Sequence, residues 1–197
     1  MGKKLSEMSL AELWRLFPIY LTEHQNCWKD WYAAEKALLQ KSLAAERGIR
    51  LNHIGSTAVA SIWAKPIVDI LLEVPEDCDF SLLKKKLIYA GYNCMSEHPR
   101  RMSFNKGYTE KGFEEKVFHL HLRRLGNHDE VYFRDYLNAH PDTAKEYEAL
   151  KLKLWKRYAH DRDGYTVQKS EFVTAVTVKA KTEFEGRYSS ENRDGTK

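Results

Sequence analysis

Apolar positions along the chain recur with two periods. Leu10, Leu13, Trp14 and Phe17 are spaced as on a helix after Ser9-Leu10-Ala11-Glu12, whose Ser and Glu form a capping box. Pro18 ends that helix, and Ile19-Tyr20-Leu21 reads as a brief strand. From about Asn26 a second helix carries Trp28, Trp31, Tyr32, Leu38 and Leu39 on one stripe, with Gly48 as its expected C-cap. Period-two and fully apolar runs then take over. Residues 49–54 predict a strand, 55–57 a turn and 58–63 a short helical segment. Residues 67–74 (Ile-Val-Asp-Ile-Leu-Leu-Glu-Val) predict a central strand apolar on both faces. Ser81 to Ala90 predicts a helix ending at Gly91, and 92–96, 101–104 and 117–123 predict short strands, with Lys111-Gly112 in a loop. From Asp129 onward the pattern is helical: 130–139, 143–158 after His140-Pro141-Asp142, and 165–182.

The expected fold class is therefore α/β (α+β). A small mixed sheet spanning about 49–123 is flanked by helices, and a C-terminal three-helix segment covers about 129–183. Residues 1–184 form one domain, and the polar run 185–197 reads as a mobile tail. A 197-residue chain can bury a real core, and five Trp with 11 Tyr argue against disorder.

The net charge of +4 comes from cations interspersed with acids, which accommodates an anionic ligand without marking a nucleic-acid surface. An RNA-binding role therefore rests on that mild imbalance alone. Cys27, Cys78 and Cys94 are odd in number and widely spaced, so no disulfide framework or zinc knuckle is expected. No apolar run approaches the ~20 residues of a membrane span. The expectation is a cytoplasmic protein without a membrane partner, and the oligomeric state stays open.

Chemistry concentrates at Gly55-Ser56-Thr57 and the strand after it. Such a turn exposes N–H groups and hydroxyls suited to phosphate, and Asp69 on the next strand lies beside it. A carboxylate next to a phosphate commonly holds a cation between them, so Mg2+ or another divalent metal is the candidate cofactor at Asp69. His119-Leu120-His121 on a strand would aim both imidazoles to one face, where they could join Asp69 around a metal or meet a phosphate. Asp69, His119 and His121 are accordingly the candidate catalytic and metal-binding residues. Gly55, Ser56, Thr57, Lys65, Arg101, Arg134, Lys151 and Lys169 are the candidate contacts to the ligand, with Arg100 and Lys106 as further basic groups. Each has a plainer reading. Ser56 and Thr57 can simply cap a turn, Asp69 can pair with Lys65 or an arginine, Arg134 and Asp135 can form a local ion pair, and helical lysines are exposed by default.

His53-Ile54-Gly55-Ser56-Thr57-Ala58-Val59 followed by Lys65-Pro66-Ile67-Val68-Asp69-Ile70 resembles the signature of the GrpB family. So do Phe133-Arg134-Asp135-Tyr136-Leu137, His140-Pro141, Tyr147, Leu150-Lys151, Asp161 and Tyr165 through Lys169, and together the likeness spans about residues 19–180. It implies a branch of the nucleotidyltransferase superfamily, whose pattern is a Gly-Ser turn followed by an Asp-x-Asp or Asp-x-Glu strand. Two departures stand out. Ala60-Ser61 replaces the family's usual Pro-Gly, which predicts a different bend in that loop. Leu71 occupies the place of the second acid, and Glu73 lies roughly 13 Å along the strand from Asp69, too far for metals about 3.5–4 Å apart. Two functions remain open: a nucleotidyltransferase-like protein that binds a nucleotide or other phosphorylated metabolite and transfers a nucleotidyl group, or a non-catalytic phosphate-ligand-binding or regulatory module that has lost the second carboxylate.

Overall fold

The computed structural model describes residues 3–126 and 128–188. The first helix, α1 (Leu10–Leu16), starts from the expected capping box: the Ser9 side chain accepts from the Glu12 N–H, and Glu12 accepts from the Ser9 N–H. Ile19 to Leu21 is not a strand. Ile19 and Leu21 are buried, but pairing here is a single bridge between Thr22 and Ala64, and the Ile19 N–H donates to the Ala159 carbonyl. Burial as a docked connector accounts for the apolar run. Helix α2 (Cys27–Ser42) ends with a cap at Leu43, so Gly48 is a loop glycine rather than its C-cap.

Strand β1 (Arg50–Ile54) pairs antiparallel with β2 (Val68–Val74). Between them one 3-10 turn, Ser56–Ala58, falls on the predicted turn, and the helical segment predicted over 58–63 does not form. Helix α3 (Phe80–Tyr89) is capped by Asp79, whose carboxylate accepts from the Ser81 and Leu82 N–H groups. Strands β3 (Asn93–His98), β4 (Arg101–Thr109) and β5 (Gly112–Arg124) follow. β4 and β5 run longer than predicted because they form one hairpin with Thr109 paired to Gly112, and strand β5 carries polar residues such as Glu114 and Glu115, at an irregularity of the ladder, that break the apolar pattern. Gly112 thus opens a strand rather than sitting in a loop.

The sheet order is β1-β2-β5-β4-β3, with β2 and β5 parallel and the other pairs antiparallel. One face carries Val68, Ile70, Leu72 and Val74 of β2 and Phe118, Leu120 and Leu122 of β5, packed with Trp28, Leu39, Leu83 and Leu87 from α2 and α3. Since side chains alternate, Asp69, Leu71 and Glu73 and, from β5, His119, His121 and Arg123 lie on the other face.

Three helices cover that second face: α4 (Asp129–Ala139), α5 (Pro141–Tyr158) and α6 (Arg162–Glu183). Pro141 fits at the start of α5 because its missing N–H would be unsatisfied there. α6 begins three residues before the predicted Tyr165, where Asp161 accepts from the Gly164 N–H at 2.8 Å. Val59 and Ile62 from the loop after the turn pack with Phe133, Leu137, Ala144, Tyr147 and Val176 of these helices, fastening the bundle to the sheet. Residues 185–188, read from sequence as the start of a mobile tail, include Tyr188, whose ring lies 4.7 Å from that of Tyr132 and whose hydroxyl contacts Asp135. The rest of that expected tail, 189–197, falls outside the described residues. Among the described residues no helix is long and apolar enough to cross a membrane.

Candidate functional site

A cavity of about 690 Å³ opens between the second sheet face and the helices. Its floor is Asp69, His119 and His121, one wall is the Gly55-Ser56-Thr57 turn with Lys65, and the far side is Tyr147, Lys151, Arg162, Tyr165 and Lys169. Parallel register sets Asp69 directly beside His119, which is why one strand's acid meets its neighbour's imidazoles.

The turn is shaped around the acid. Gly55 has φ +73 and ψ −174, and a Cβ there would stand 2.3 Å from Asp69 Oδ2. Only glycine permits both the dihedral and the approach. The other carboxylate oxygen, Oδ1, lies 3.3 Å from His119 Nδ1 and 3.5 Å from His121 Nε2. Burial by itself would raise the Asp69 pKa, but the two imidazoles hold it well below the usual carboxylate range. Asp69 is therefore an anion.

Hydrogen-bond directions assign the His119 tautomer. Arg162 has only donors, and its Nη2 donates to the Tyr108 hydroxyl at 3.1 Å. That hydroxyl lies 2.7 Å from His119 Nε2. The Asp69 carboxylate can only accept, so Nδ1 carries the ring proton toward it and Nε2 of the neutral ring accepts from Tyr108. Burial lowers the His119 pKa against the pull of Asp69. Both nitrogens of His119 are thus engaged.

Thr57 reached the expected place but not the expected use. Its side chain is buried, its hydroxyl donates to the Ile67 carbonyl at 3.2 Å, and His53 Nε2 lies 3.0 Å from the same oxygen. The hydroxyl pins the turn to the start of the next strand and has no proton left to donate to a ligand. Burial holds His53 down to about 4, so the ring is neutral and Nε2–H donates to Thr57. Ser56 stays at the cavity wall, beside the Tyr147 phenol.

The basic residues divide sharply. Lys65, Lys151 and Lys169 all line the cavity, and Lys151 is 2% exposed, contrary to the expectation for a helical lysine. Its ammonium donates to the Trp63 carbonyl and sits 4.9 Å from the Tyr147 ring centre. Lys65 and Lys169 lie 5.3 Å and 4.3 Å from the Tyr165 ring centre. Burial, then the neighbouring cations, pull Lys65 and Lys151 down to about 7, and burial brings Lys169 to about 8.

Four other basic candidates fall elsewhere. Arg101 is exposed on β4 opposite Arg123, beyond the cavity lining. Arg134 donates to the His53 carbonyl at 2.7 Å and pairs with Asp135 at 2.6 Å, so it clamps α4 to the end of β1. Arg100 pairs with Glu76, and Lys106 pairs with Glu35 at 2.8 Å on the opposite side of the sheet.

Sequence reasoning missed Arg162, Tyr108 and the walls provided by Tyr147, Tyr165, Thr166, Thr177 and Lys181. A signal existed: Arg162, Thr166, Lys169, Val173, Thr177 and Lys181 recur at three or four residues along α6, a stripe of mixed polarity aimed at the cavity.

A two-metal site does not fit. Leu71, where the second acid would stand, is fully buried against Ile54 and Val131. Glu73 accepts from the Gly126 N–H at 3.2 Å and meets His128 Nδ1 at 3.1 Å, holding the segment that leads into α4. Among the described residues no group of three or more His, Cys, Asp or Glu side chains is arranged to hold a metal ion. The Ala60-Ser61 departure does not redirect the loop: Ser61 takes φ +64, the left-handed conformation a glycine would adopt.

A mixed sheet with a Gly-Ser turn beside the acid of an interior strand is a nucleotidyltransferase-type fold. The similarity to solved structures agrees: the Cid1 poly(U) polymerase bound to Mg 3'-dATP superposes with a TM-score of 0.50 at 12% identity, over 74% of this chain and 49% of that one. The sequence profile of the GrpB protein family matches residues 18–179, and this chain belongs to that family. The crystal structure of the conserved protein GrpB from Enterococcus faecalis gives a TM-score of 0.72 at 28% identity, over 84% of this chain and 99% of that one. A UPF0157 protein of Pseudomonas aeruginosa is 38% identical over 156 residues, which is 78% of this chain and 64% of that protein. The glutamate-rich protein GrpB of Alkalihalophilus pseudofirmus is 34% identical over 80% of this chain and 93% of its own length. A UPF0157 protein of Bacillus subtilis aligns over 96% of this chain but only 58% of its own length, so the chain spans roughly three fifths of the Pseudomonas and Bacillus relatives.

Proposed function

We propose that the protein binds a nucleotide or another phosphorylated metabolite in this cavity, with the phosphates on Lys65, Lys151, Arg162 and Lys169. The supporting observation is the convergence of these four cations from three segments of chain. None of them has a carboxylate ion-pair partner among the described residues. Burying charged lysines is unfavourable, and their depressed pKa values register that cost, set first by burial and, for Lys65 and Lys151, then by neighbouring cations. A polyanion relieves it. Within the same lining, which also carries Asp129 and Glu130, Ile54, Phe133, Val173 and Val178 offer an apolar wall for the organic part of such a ligand.

The test is a thermal-shift screen across nucleoside mono-, di- and triphosphates and coenzyme A precursors. The latter are included because a dephospho-CoA kinase of Mycolicibacterium paratuberculosis is 26% identical to this chain over 71% of it and 41% of that enzyme. A ligand at a hundred times its Kd stabilises by about 2.7 kcal/mol, which for a domain this size raises Tm by roughly 5–11 °C. The shift should vanish in Lys169→Met and be absent for the matching nucleosides without phosphate. If phosphorylated and unphosphorylated compounds act alike, the reading fails.

Nucleotidyl transfer is the second reading, favoured by the closeness of the Gly55 turn to Asp69. Leu71 weighs against it, so binding without transfer is the better-supported function. Turnover of a radiolabelled nucleoside triphosphate that Asp69→Ala abolishes would reverse that order.

A further inference from the structure

In proteins of this fold a metal ion commonly neutralises the phosphates while two acids hold the metal. Here most of that arrangement is otherwise employed or missing. Asp69 Oδ1 faces two imidazole nitrogens at 3.3 and 3.5 Å, and Oδ2 lies against the Gly55 backbone so closely that a methyl group would not fit. His119 Nε2 accepts from Tyr108, itself held by Arg162. Position 71 is a leucine, and Glu73 is tied to Gly126 and His128. Facing this side, three lysines and an arginine supply the positive charge that a metal would bring.

We infer that the cavity takes its phosphorylated ligand as the metal-free polyanion, with Lys65, Lys151, Arg162 and Lys169 in place of the divalent cation and Asp69 serving to orient His119 and His121 rather than to ligate metal. This rests on the phosphate-binding reading and adds the ionic form of the ligand. It reverses the expected effect of two perturbations. A metal site loses its ligand when Mg2+ is chelated, whereas a lysine-arginine site competes with Mg2+ for the same phosphate oxygens. A metal site is crippled by loss of its carboxylate, whereas a cationic site is relieved when the acid on its floor is removed.

The experiment is isothermal titration of the full chain with ATP and, separately, inorganic tripolyphosphate, in excess EDTA and in excess Mg2+. Affinity in EDTA should equal that in Mg2+ or exceed it by up to about tenfold. Asp69→Asn, nearly isosteric, should bind tripolyphosphate at least as tightly as the parent, and Lys65→Met should bind it more weakly in both buffers. Manganese added alone should show no slow-exchanging bound signal in its paramagnetic resonance spectrum. Binding that appears only with Mg2+, or is lost in a folded Asp69→Asn variant, overturns the inference while leaving phosphate binding intact. Absence of binding in both buffers overturns both.

Discussion

Replacing Gly55 with alanine tests the contact on which the site geometry depends. The backbone there, φ +73 with ψ −174, lies in a region essentially reserved for glycine, and holding another residue in it costs about 1–3 kcal/mol. The new Cβ would also stand 2.3 Å from Asp69 Oδ2 and 3.0 Å from Asp69 Cβ and Cγ. Nothing can move away cheaply, since Asp69 sits on the interior strand β2 between β1 and β5. Overpacking of that kind adds about 1–3 kcal/mol. The sum, about 2–6 kcal/mol, corresponds to a fall in Tm of roughly 4–24 °C. Gly126 is the control: it has φ +90 with nothing within 4 Å of its would-be Cβ, so Gly126→Ala should register only the left-handed strain of about 1–2 kcal/mol. Thermal and urea melts of both variants, each in the parent and in an Asp69→Ala background, complete the measurement. Removing the carboxylate deletes the closest clash, so the Gly55→Ala cost should shrink by about 0.5–3 kcal/mol, while the Gly126→Ala cost should not change. If Gly55→Ala melts no lower than Gly126→Ala, or costs the same in both backgrounds, the turn and the acid do not touch and the proposed site loses its floor.

Further outcomes follow from the same geometry. With Lys65 and Lys151 near 7 and Lys169 near 8, the unfolded chain binds more protons than the ligand-free fold between about pH 7 and 10, so melts of the unliganded protein should show stability rising with pH across that window. Phosphate affinity, measured by titration, should fall over the same range as those ammonium groups deprotonate. Ser61→Gly should raise stability by up to about 1 kcal/mol, the left-handed strain removed less the added chain entropy, read as a Tm gain of about 2–4 °C. Arg134→Ala, losing a charged hydrogen bond to the His53 carbonyl, should cost about 1.5–3 kcal/mol in a urea melt with little change in phosphate affinity, and Arg162→Ala should do the reverse. Leu71→Asp should lower Tm and give no metal-dependent turnover, because it buries a carboxylate between Ile54 and Val131 while Asp69 stays engaged.

The elements of the fold were legible wherever side-chain period and burial coincide. The β2 run, the α2 stripe and the Ser9 capping box are such cases, and the observed strands and helices follow them within a few residues. The pattern misled where burial came without regular pairing, as at Ile19 and Leu21, and where a strand ran through polar positions, as at Glu114 and Glu115. The site was legible only in part. Local order in the sequence exposed the Gly55 turn, Asp69 and the two histidines, since all lie on β1, β2, β5 or the turn joining the first two. Which cations face them depends on how the helical bundle docks, and no local pattern encodes that. Arg101, Arg134, Lys151 and Lys169 looked equivalent in sequence, yet two of the four reach the cavity.

That docking also accounts for Asp69 standing on β2 without a second acid at position 71. Leu71 is needed where it stands: with Ile54 and Val131 it seals the sheet to α4, and Glu73 holds the segment entering α4 through Gly126 and His128. The α4 attachment has thus taken over the two positions on β2 beyond Asp69, and it is this attachment that places α5 and α6 over the floor. A second carboxylate at position 71 would weaken the seam that brings Lys151, Arg162 and Lys169 to the cavity. On the metal-free reading proposed above, the basic cluster stands in for the acid pair, and a ligand held by those cations has no need of a metal.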